Sequence, residues 1–143
     1  MNIDDALEWV EIADNDFDSA VLLNEAVRKH CEIICYHCAQ AVEKYLKAYL
    51  VFKGVIPKKT HDLLFLVNLC NELNSDFESI ITECSFLNKF ANDIRYPHKY
   101  QTSENDVTYS INAVYKIKNF SLINGLRNIK NENEETVENP NGT

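Results

Sequence analysis

The sequence predicts an all-α fold, an up-and-down antiparallel helical bundle of four main helices plus one shorter helix. Apolar residues recur at helical spacing through most of the chain, and no stretch shows the alternating pattern of a strand. Only three glycines and three prolines occur in 143 residues, too few for the turns of a β-rich fold. Long helices with short connections favour antiparallel neighbours, so we expect one bundle domain over residues 1–129.

The first two predicted helices have the clearest patterns. Residues 3–29 carry apolar side chains on one face and acidic side chains on the other, with no Lys or Arg before Arg28. Residues 31–53 form the second helix, in which a stripe of apolar or small residues follows four-three spacing. The stripe consists of Cys31, Cys35, Cys38, Val42, Tyr45, Tyr49 and Phe52. Gly54 and Pro57 then predict where the second helix ends.

The later helices are predicted from capping signals, because polar residues that accept hydrogen bonds precede each apolar run. The predicted helices span residues 61–73, 76–94 and 104–128, with Thr60, Ser75 and Ser103 at their starts. Pro97 marks the end of the second of these three helices. Residues 130–143 are polar and acidic without an apolar anchor, so we predict that they form a disordered tail.

Composition argues against several classes of protein. The formal net charge of −8 disfavours binding to extended DNA, which depends on cationic contacts with phosphates. The five cysteines are an odd number and lie mostly on predicted core positions, so we expect reduced thiols, no metal centre and a cytoplasmic protein. Met1 is followed by acidic residues rather than a signal peptide, and no apolar run reaches membrane-spanning length. We therefore expect no membrane association and no cofactor.

Three polar segments form the candidate site. The first is a face of the second helix beside the apolar stripe, which presents an imidazole, an amide and two ammonium groups. Its residues are His37, Gln40, Lys44 and Lys47. The second segment, residues 58–62, places His61 at a helix start, where free backbone N–H groups favour an anion. The third segment, residues 95–100, follows the predicted fourth helix.

Residues of the third segment can bind phosphate and base. Arg95 can hold a phosphate through two parallel hydrogen bonds, and Tyr96 can stack on a base. A structural interpretation of the same residues stays open. Under it, Lys44 and Lys47 pair with Glu43 or cover apolar surface, and Arg95 binds the last carbonyls of helices. Spacing alone does not decide whether the three segments meet.

Three sequence stretches together resemble the HEPN family, the higher eukaryotes and prokaryotes nucleotide-binding domain. They read AQAVEKYLKAYLVFKG, PKKTHDL and LNKFANDIRYP, in that order. The resemblance covers the predicted helices, and its RYP element is similar to the branch regarded as nucleotide-binding or partner-associated. It implies a helical bundle that forms a homodimer and binds a nucleotide or short RNA. It also implies a minimal nucleotidyltransferase as partner, frequently in a toxin–antitoxin pair.

The resemblance also bears on catalysis. Family members that cut RNA carry an Arg, four to six intervening residues and then a His, and toxin members often carry a Tyr two residues later that the partner adenylylates. Here Arg95 is followed by His98 after only Tyr96 and Pro97, and Tyr100 follows two residues later. Pro97 keeps Arg95 and His98 from sharing a regular helical turn, whereas proton transfer needs hydrogen-bond reach. The short spacing argues against ribonuclease activity and leaves Tyr100 as the possible adenylylation site.

Three functions follow from these residues. The leading one is a non-enzymatic module that binds a nucleotide or short RNA and a nucleotidyltransferase partner. Its expected contacts to phosphate and base are Lys44, Lys47, His61, Arg95 and Tyr96. The second is a metal-independent endoribonuclease in which Arg95 stabilises phosphate charge and His98 acts as acid or base. The third is a structural interaction subunit whose acidic first helix docks a basic partner.

Overall fold

The structure, a computed structural model, describes the backbone of residues 3–92 and 101–138 and the side-chain environments up to residue 129. Six α-helices and one 3-10 helix make up this part of the chain, and no strand occurs in it. The helices are α1 Ile3–Asn24, α2 Cys31–Phe52, α3 Leu63–Leu73, the 3-10 helix Ser75–Ile80, α4 Ile81–Asn88, α5 Glu104–Lys118 and α6 Ser121–Glu138. The predicted all-α bundle is confirmed.

Helix α2 lies at the centre of the bundle and contacts all five other α-helices. Five residues of its predicted stripe are buried, and the two at its ends, Cys31 and Phe52, are half-buried. The buried ones are Cys35, Cys38, Val42, Tyr45 and Tyr49. Each fully buried apolar side chain contributes about 1.5–3 kcal/mol relative to exposure, so this stripe anchors the core.

The ends of the first two helices follow local chemistry. Gly54 has a φ of 80°, and its N–H donates to the Val51 carbonyl, so the predicted glycine stop after α2 is confirmed. Helix α1 ends at Asn24, five residues earlier than predicted. The reason is that residues 25–30 are exposed, and the side chain of Val27 does not pack against the core. Without apolar burial, a marginal helical turn has too little stabilisation to persist.

Two predicted caps are wrong by one or two residues. The cap of α3 is Asp62 rather than Thr60, because the Asp62 carboxylate accepts hydrogen bonds from two backbone N–H groups of the first turn. Asn74, rather than Ser75, caps the next element, which begins as a 3-10 helix and continues as the short α4 only to Asn88. The capping box at Ser103 is confirmed.

The single helix predicted for residues 104–128 is two helices. Helix α5 ends at Lys118 and α6 begins at Ser121, because the chain turns at Phe120. The Phe120 ring packs at 5.1 Å from the ring of Phe77, which in turn lies 4.6 Å from that of Tyr49. Helix α6 then continues to Glu138, into the segment predicted to be a disordered tail. Residues 139–143 lie outside the described part of the chain.

The cysteines belong to the core, as predicted. Cys35, Cys38, Cys70 and Cys84 are buried free thiols, and Cys31 is half-buried. Burial raises the pKa of Cys35 to about 11 and that of Cys70 to about 12, so both stay protonated at neutral pH. No helix in the described ranges is both long and apolar enough to span a bilayer.

Candidate functional site

The polar centre of the molecule is a buried carboxylate, that of Glu43 on α2. One of its oxygens, Oε1, lies 2.6 Å from Nδ1 of His61, and the other, Oε2, lies 2.9 Å from Nζ of Lys47. The side chains of Glu43 and Lys47 are 3% and 8% exposed, whereas that of His61 is 56% exposed. A buried ion pair is tolerated only when its hydrogen bonds are satisfied, as they are at Glu43.

Lys44 belongs to the same cluster but turns towards α1. Its Nζ lies 3.3 Å from Oδ2 of Asp16, 2.7 Å from Oε1 of Gln40 and 3.9 Å from Oε2 of Glu43. Lys47 also lies over the Trp9 ring, 5.6 Å from its centroid. Two ammonium groups therefore meet two carboxylates, so the cluster has no net charge when His61 is neutral.

The structure thus brings together three of the predicted site residues, Lys44, Lys47 and His61. It also shows the pairing with Glu43 that the structural interpretation of the lysines anticipated. The contact between Glu43 and His61 joins residues 18 positions apart, so helical periodicity could not have predicted it. The i, i+4 spacing of Glu43 and Lys47, in contrast, is a signal readable in the sequence.

The start of α3 does not offer free backbone N–H groups, which corrects the expectation for residues 58–62. The N–H groups of Leu64 and Phe65 donate to Oδ1 of Asp62 at 3.1 and 3.2 Å. The N–H of Leu63 donates to Oδ1 of Asn88 on α4 at 2.8 Å. Because these donors are occupied, the helix terminus is not an open anion site.

The contact of Asn88 has a second consequence. It fixes the end of α4 beside the start of α3 and therefore next to His61. The four remaining predicted site residues lie in the segment 93–100, outside the described residues. They are Arg95, Tyr96, His98 and Tyr100. Their roles in phosphate binding, catalysis and adenylylation stay predictions, as does membership of the RYP branch.

Two polar atoms on α2 lack partners within the described residues. They are Nδ1 of His37 and Nε2 of Gln40, both buried. Gln40 is only 8% exposed, and its oxygen already accepts a hydrogen bond from Lys44. Buried polar groups in folded proteins are nearly always paired, so these two atoms are exceptions within the described part of the chain.

A second polar cluster was not predicted. Asp14 on α1 receives two hydrogen bonds from the Arg127 guanidinium on α6, at 2.7 and 2.8 Å, and one from the Tyr45 hydroxyl at 2.5 Å. Burial alone would raise the pKa of Asp14, but the hydrogen bonds from Arg127 and Tyr45 and the charges of Arg127 and Lys118 together lower it. The sequence shows Asp14 only as one of many acidic residues and Tyr45 only as a core residue.

Comparison with known proteins agrees with this architecture. The sequence model of the HEPN domain matches residues 6–128. Among solved structures, ST0689, an archaeal HEPN homologue, is 26% identical with a TM-score of 0.65, over 84% of this chain and 95% of that protein. TT1696 from Thermus thermophilus is 20% identical with a TM-score of 0.69, over 85% of this chain and 97% of that protein, and supports the fold. No curated protein matches the sequence. The match over most of the chain shows that this protein belongs to the HEPN domain family.

Proposed function

We propose that this HEPN domain binds a nucleotide or short RNA and works, as a homodimer, with a minimal nucleotidyltransferase. The observation that carries the binding proposal is the Glu43 cluster, which gathers Lys44, Lys47 and His61 beside the end of α4. The segment with Arg95 and Tyr96 follows α4 in the chain and completes the proposed set of phosphate and base contacts.

Within this cluster His61 is the residue best suited to contact a ligand. Its Nδ1 bonds the buried carboxylate of Glu43, so Nε2 remains for a phosphate oxygen at the half-exposed ring. A carboxylate behind an imidazole fixes the orientation of the ring, and the nitrogen that faces outward can then donate to an anion. Lys44 is 16% exposed and adds a second cation, whereas Lys47 supports Glu43 from the interior.

Binding measurements on single substitutions test the proposal. We expect His61→Ala and Arg95→Ala each to weaken the affinity for nucleoside triphosphates or a short RNA about tenfold or more, the size of a lost charge-assisted hydrogen bond. Lys59→Ala removes a positive charge from the same loop and is the matched control; its affinity should stay near that of the unchanged protein. If all three variants bound the ligand as tightly as the unchanged protein, this site would be refuted.

The salt dependence of the same binding gives an independent check. Each phosphate contact to a single strand contributes a slope of about −0.7 to the plot of log affinity against log salt. The two permanently charged contacts, Lys44 and Arg95, therefore predict a slope of about −1.4, and Arg95→Ala should reduce its magnitude by about 0.7. A slope near zero would mean that the ligand is not held through its phosphates.

Helix α1 supports the protein-partner half of the proposal. It contains no Lys or Arg, and its exposed face carries acidic residues interrupted by the exposed apolar side chains of Ile12 and Leu22. Such a face favours a basic partner with apolar anchors. We expect Glu11→Lys with Asp18→Lys to abolish co-purification of a nucleotidyltransferase, whereas Arg95→Ala retains it. Retention of the partner by the charge-reversed protein would exclude this face.

A further inference from the structure

The surface between α4 and α5 contains a small cavity that the proposed phosphate contacts do not use. The cavity has a volume of about 160 Å³. Its lining consists of Glu83 from α4 and Tyr109, Asn112, Ala113 and Lys116 from α5. The four α5 residues follow i, i+3, i+4, i+7 spacing, so they share one helical face. Glu83 stands opposite that face.

Glu83 supplies this cavity with a hydrogen-bond acceptor. Its side chain is 13% exposed, and its Oε1 accepts a hydrogen bond from Nζ of Lys116. The other oxygen, Oε2, is buried and has no partner among the residues the structure describes. An ionised carboxylate only accepts hydrogen bonds, and an unpaired buried acceptor is costly. Because Oε2 is buried, the carboxylate must rotate towards the cavity to accept an N–H group from a ligand, and that hydrogen bond would relieve the unpaired acceptor.

Tyr109 supplies an aromatic surface at the edge of the cavity. The residue is 39% exposed, and its ring centroid lies 4.2 Å from that of Phe86, with the two planes at 53°. Nζ of Lys89 lies 4.1 Å from the Phe86 centroid, so a positive charge adjoins the aromatic pair. Proteins bind single-stranded nucleic acid by stacking bases on such rings beside cationic groups.

The size of the cavity selects among ring systems. A cavity of about 150 Å³ holds one benzene ring, so the present volume matches a single six-membered ring better than a purine. Asn112 is exposed at the rim, and its amide can donate to a ring carbonyl. A carboxylate that accepts from the exocyclic amino group of cytosine is an established base contact.

We propose that the cavity between α4 and α5 binds a cytosine base of a nucleotide or RNA, with its amino group donating to Glu83 and its ring against Tyr109. This inference rests on the proposed nucleotide or RNA binding and adds the identity of the base. Uracil presents a carbonyl where cytosine has the amino group. Its carbonyl oxygen and the Glu83 carboxylate are both acceptors, so no hydrogen bond would form between them. Cytosine is therefore preferred over uracil.

The substitution Glu83→Gln tests the inference by exchanging the base preference. Lys116 donates to one oxygen of Glu83, so the oxygen of Gln should turn to Lys116 and its NH₂ group to the cavity. The unchanged protein should bind oligocytidine about tenfold more tightly than oligouridine of the same length, and Glu83→Gln should lose or reverse this ratio. Calorimetric titration of both proteins with both oligonucleotides measures it.

Tyr109→Ala provides a second readout, with Tyr115→Ala as its matched control on another face of α5. Tyr109→Ala should weaken binding of oligocytidine about tenfold, whereas Tyr115→Ala should not. Equal affinity for both oligonucleotides in the unchanged protein would overturn the cytosine site. If in that case His61→Ala weakened the binding of both oligonucleotides, the proposed function would stand without the cytosine site. If neither oligonucleotide bound, both the cytosine site and the proposed nucleotide or RNA binding would be overturned.

Discussion

Glu43 is the residue on which the polar interior of α2 depends. Its carboxylate is the hydrogen-bond partner of the buried Lys47 ammonium and of the half-exposed His61 ring. Desolvating a charge costs several kcal/mol, so the buried Lys47 ammonium depends on Glu43, whereas Glu43 also has His61 and Lys44 as partners. Lys44, which also lies 3.9 Å from Glu43, has Asp16 on α1 and Gln40 as closer partners, so its charge keeps hydrogen bonds when Glu43 is changed.

We therefore expect Glu43→Gln to destabilise the fold by about 3 kcal/mol, because it leaves the Lys47 charge buried without a counter-ion. Lys47→Met removes that charge while keeping an apolar stem, and Glu43 retains His61, so its cost should be much smaller. Urea unfolding at pH 7 measures both free energies. A loss of less than about 0.5 kcal/mol in Glu43→Gln would show that the interior does not need this carboxylate.

At the level of elements, helix starts and stops were predictable where they depend on neighbouring residues. Gly54 ends α2 and Ser103 caps the start of α5, as predicted, because both effects depend only on adjacent residues. The turn at Phe120 was not predictable, because it depends on packing against Phe77, which is remote in the sequence. For the same reason the Asn88 contact with the start of α3, which orders the candidate site, has no signal in the local sequence.

Two glycines give a matched test of these local effects. Gly54 has a φ of 80°, where a Cβ meets no atom within 4 Å, so Gly54→Ala should cost about 1–2 kcal/mol through backbone strain alone. Gly125 lies within α6 and also has open space, so Gly125→Ala should stabilise by about 0.5–1 kcal/mol through reduced backbone entropy. Thermal and urea unfolding measure both. Stabilisation by Gly54→Ala, or destabilisation by Gly125→Ala, would contradict the role assigned to that glycine.

At the scale of the whole molecule, an ion pair joins the first helix of the bundle to the last. Asp14 on α1 and Arg127 on α6 are 113 positions apart, and their side chains are 26% and 31% exposed. Helix α1 contains no Lys or Arg, so this pair also places a cation from α6 beside the acidic first helix. Local sequence patterns do not indicate pairs between residues so far apart, so the sequence does not predict the Asp14 cluster.

The lowered pKa of Asp14 makes the strength of this link depend on pH. Since the pKa of Asp14 is lower in the folded state than in the unfolded chain, the pair stabilises the fold fully above the ordinary aspartate pKa of about 3.9. The stabilisation is lost as the pH falls through the lower folded value. Removing Arg127 should therefore matter at neutral pH and cease to matter in acid.

We expect Arg127→Met to lower the free energy of unfolding by about 2 kcal/mol at pH 7 relative to Arg28→Met. The control removes the same charge from an exposed turn, so both variants share the change in net charge and in self-repulsion. Because Asp14 is protonated in both states at low pH, the difference between the two variants should shrink steadily below about pH 4. Urea unfolding at neutral pH and at a series of acidic pH values measures the difference. A gap that persists unchanged at the lowest pH would mean that Arg127 stabilises the bundle through packing of its stem rather than through Asp14.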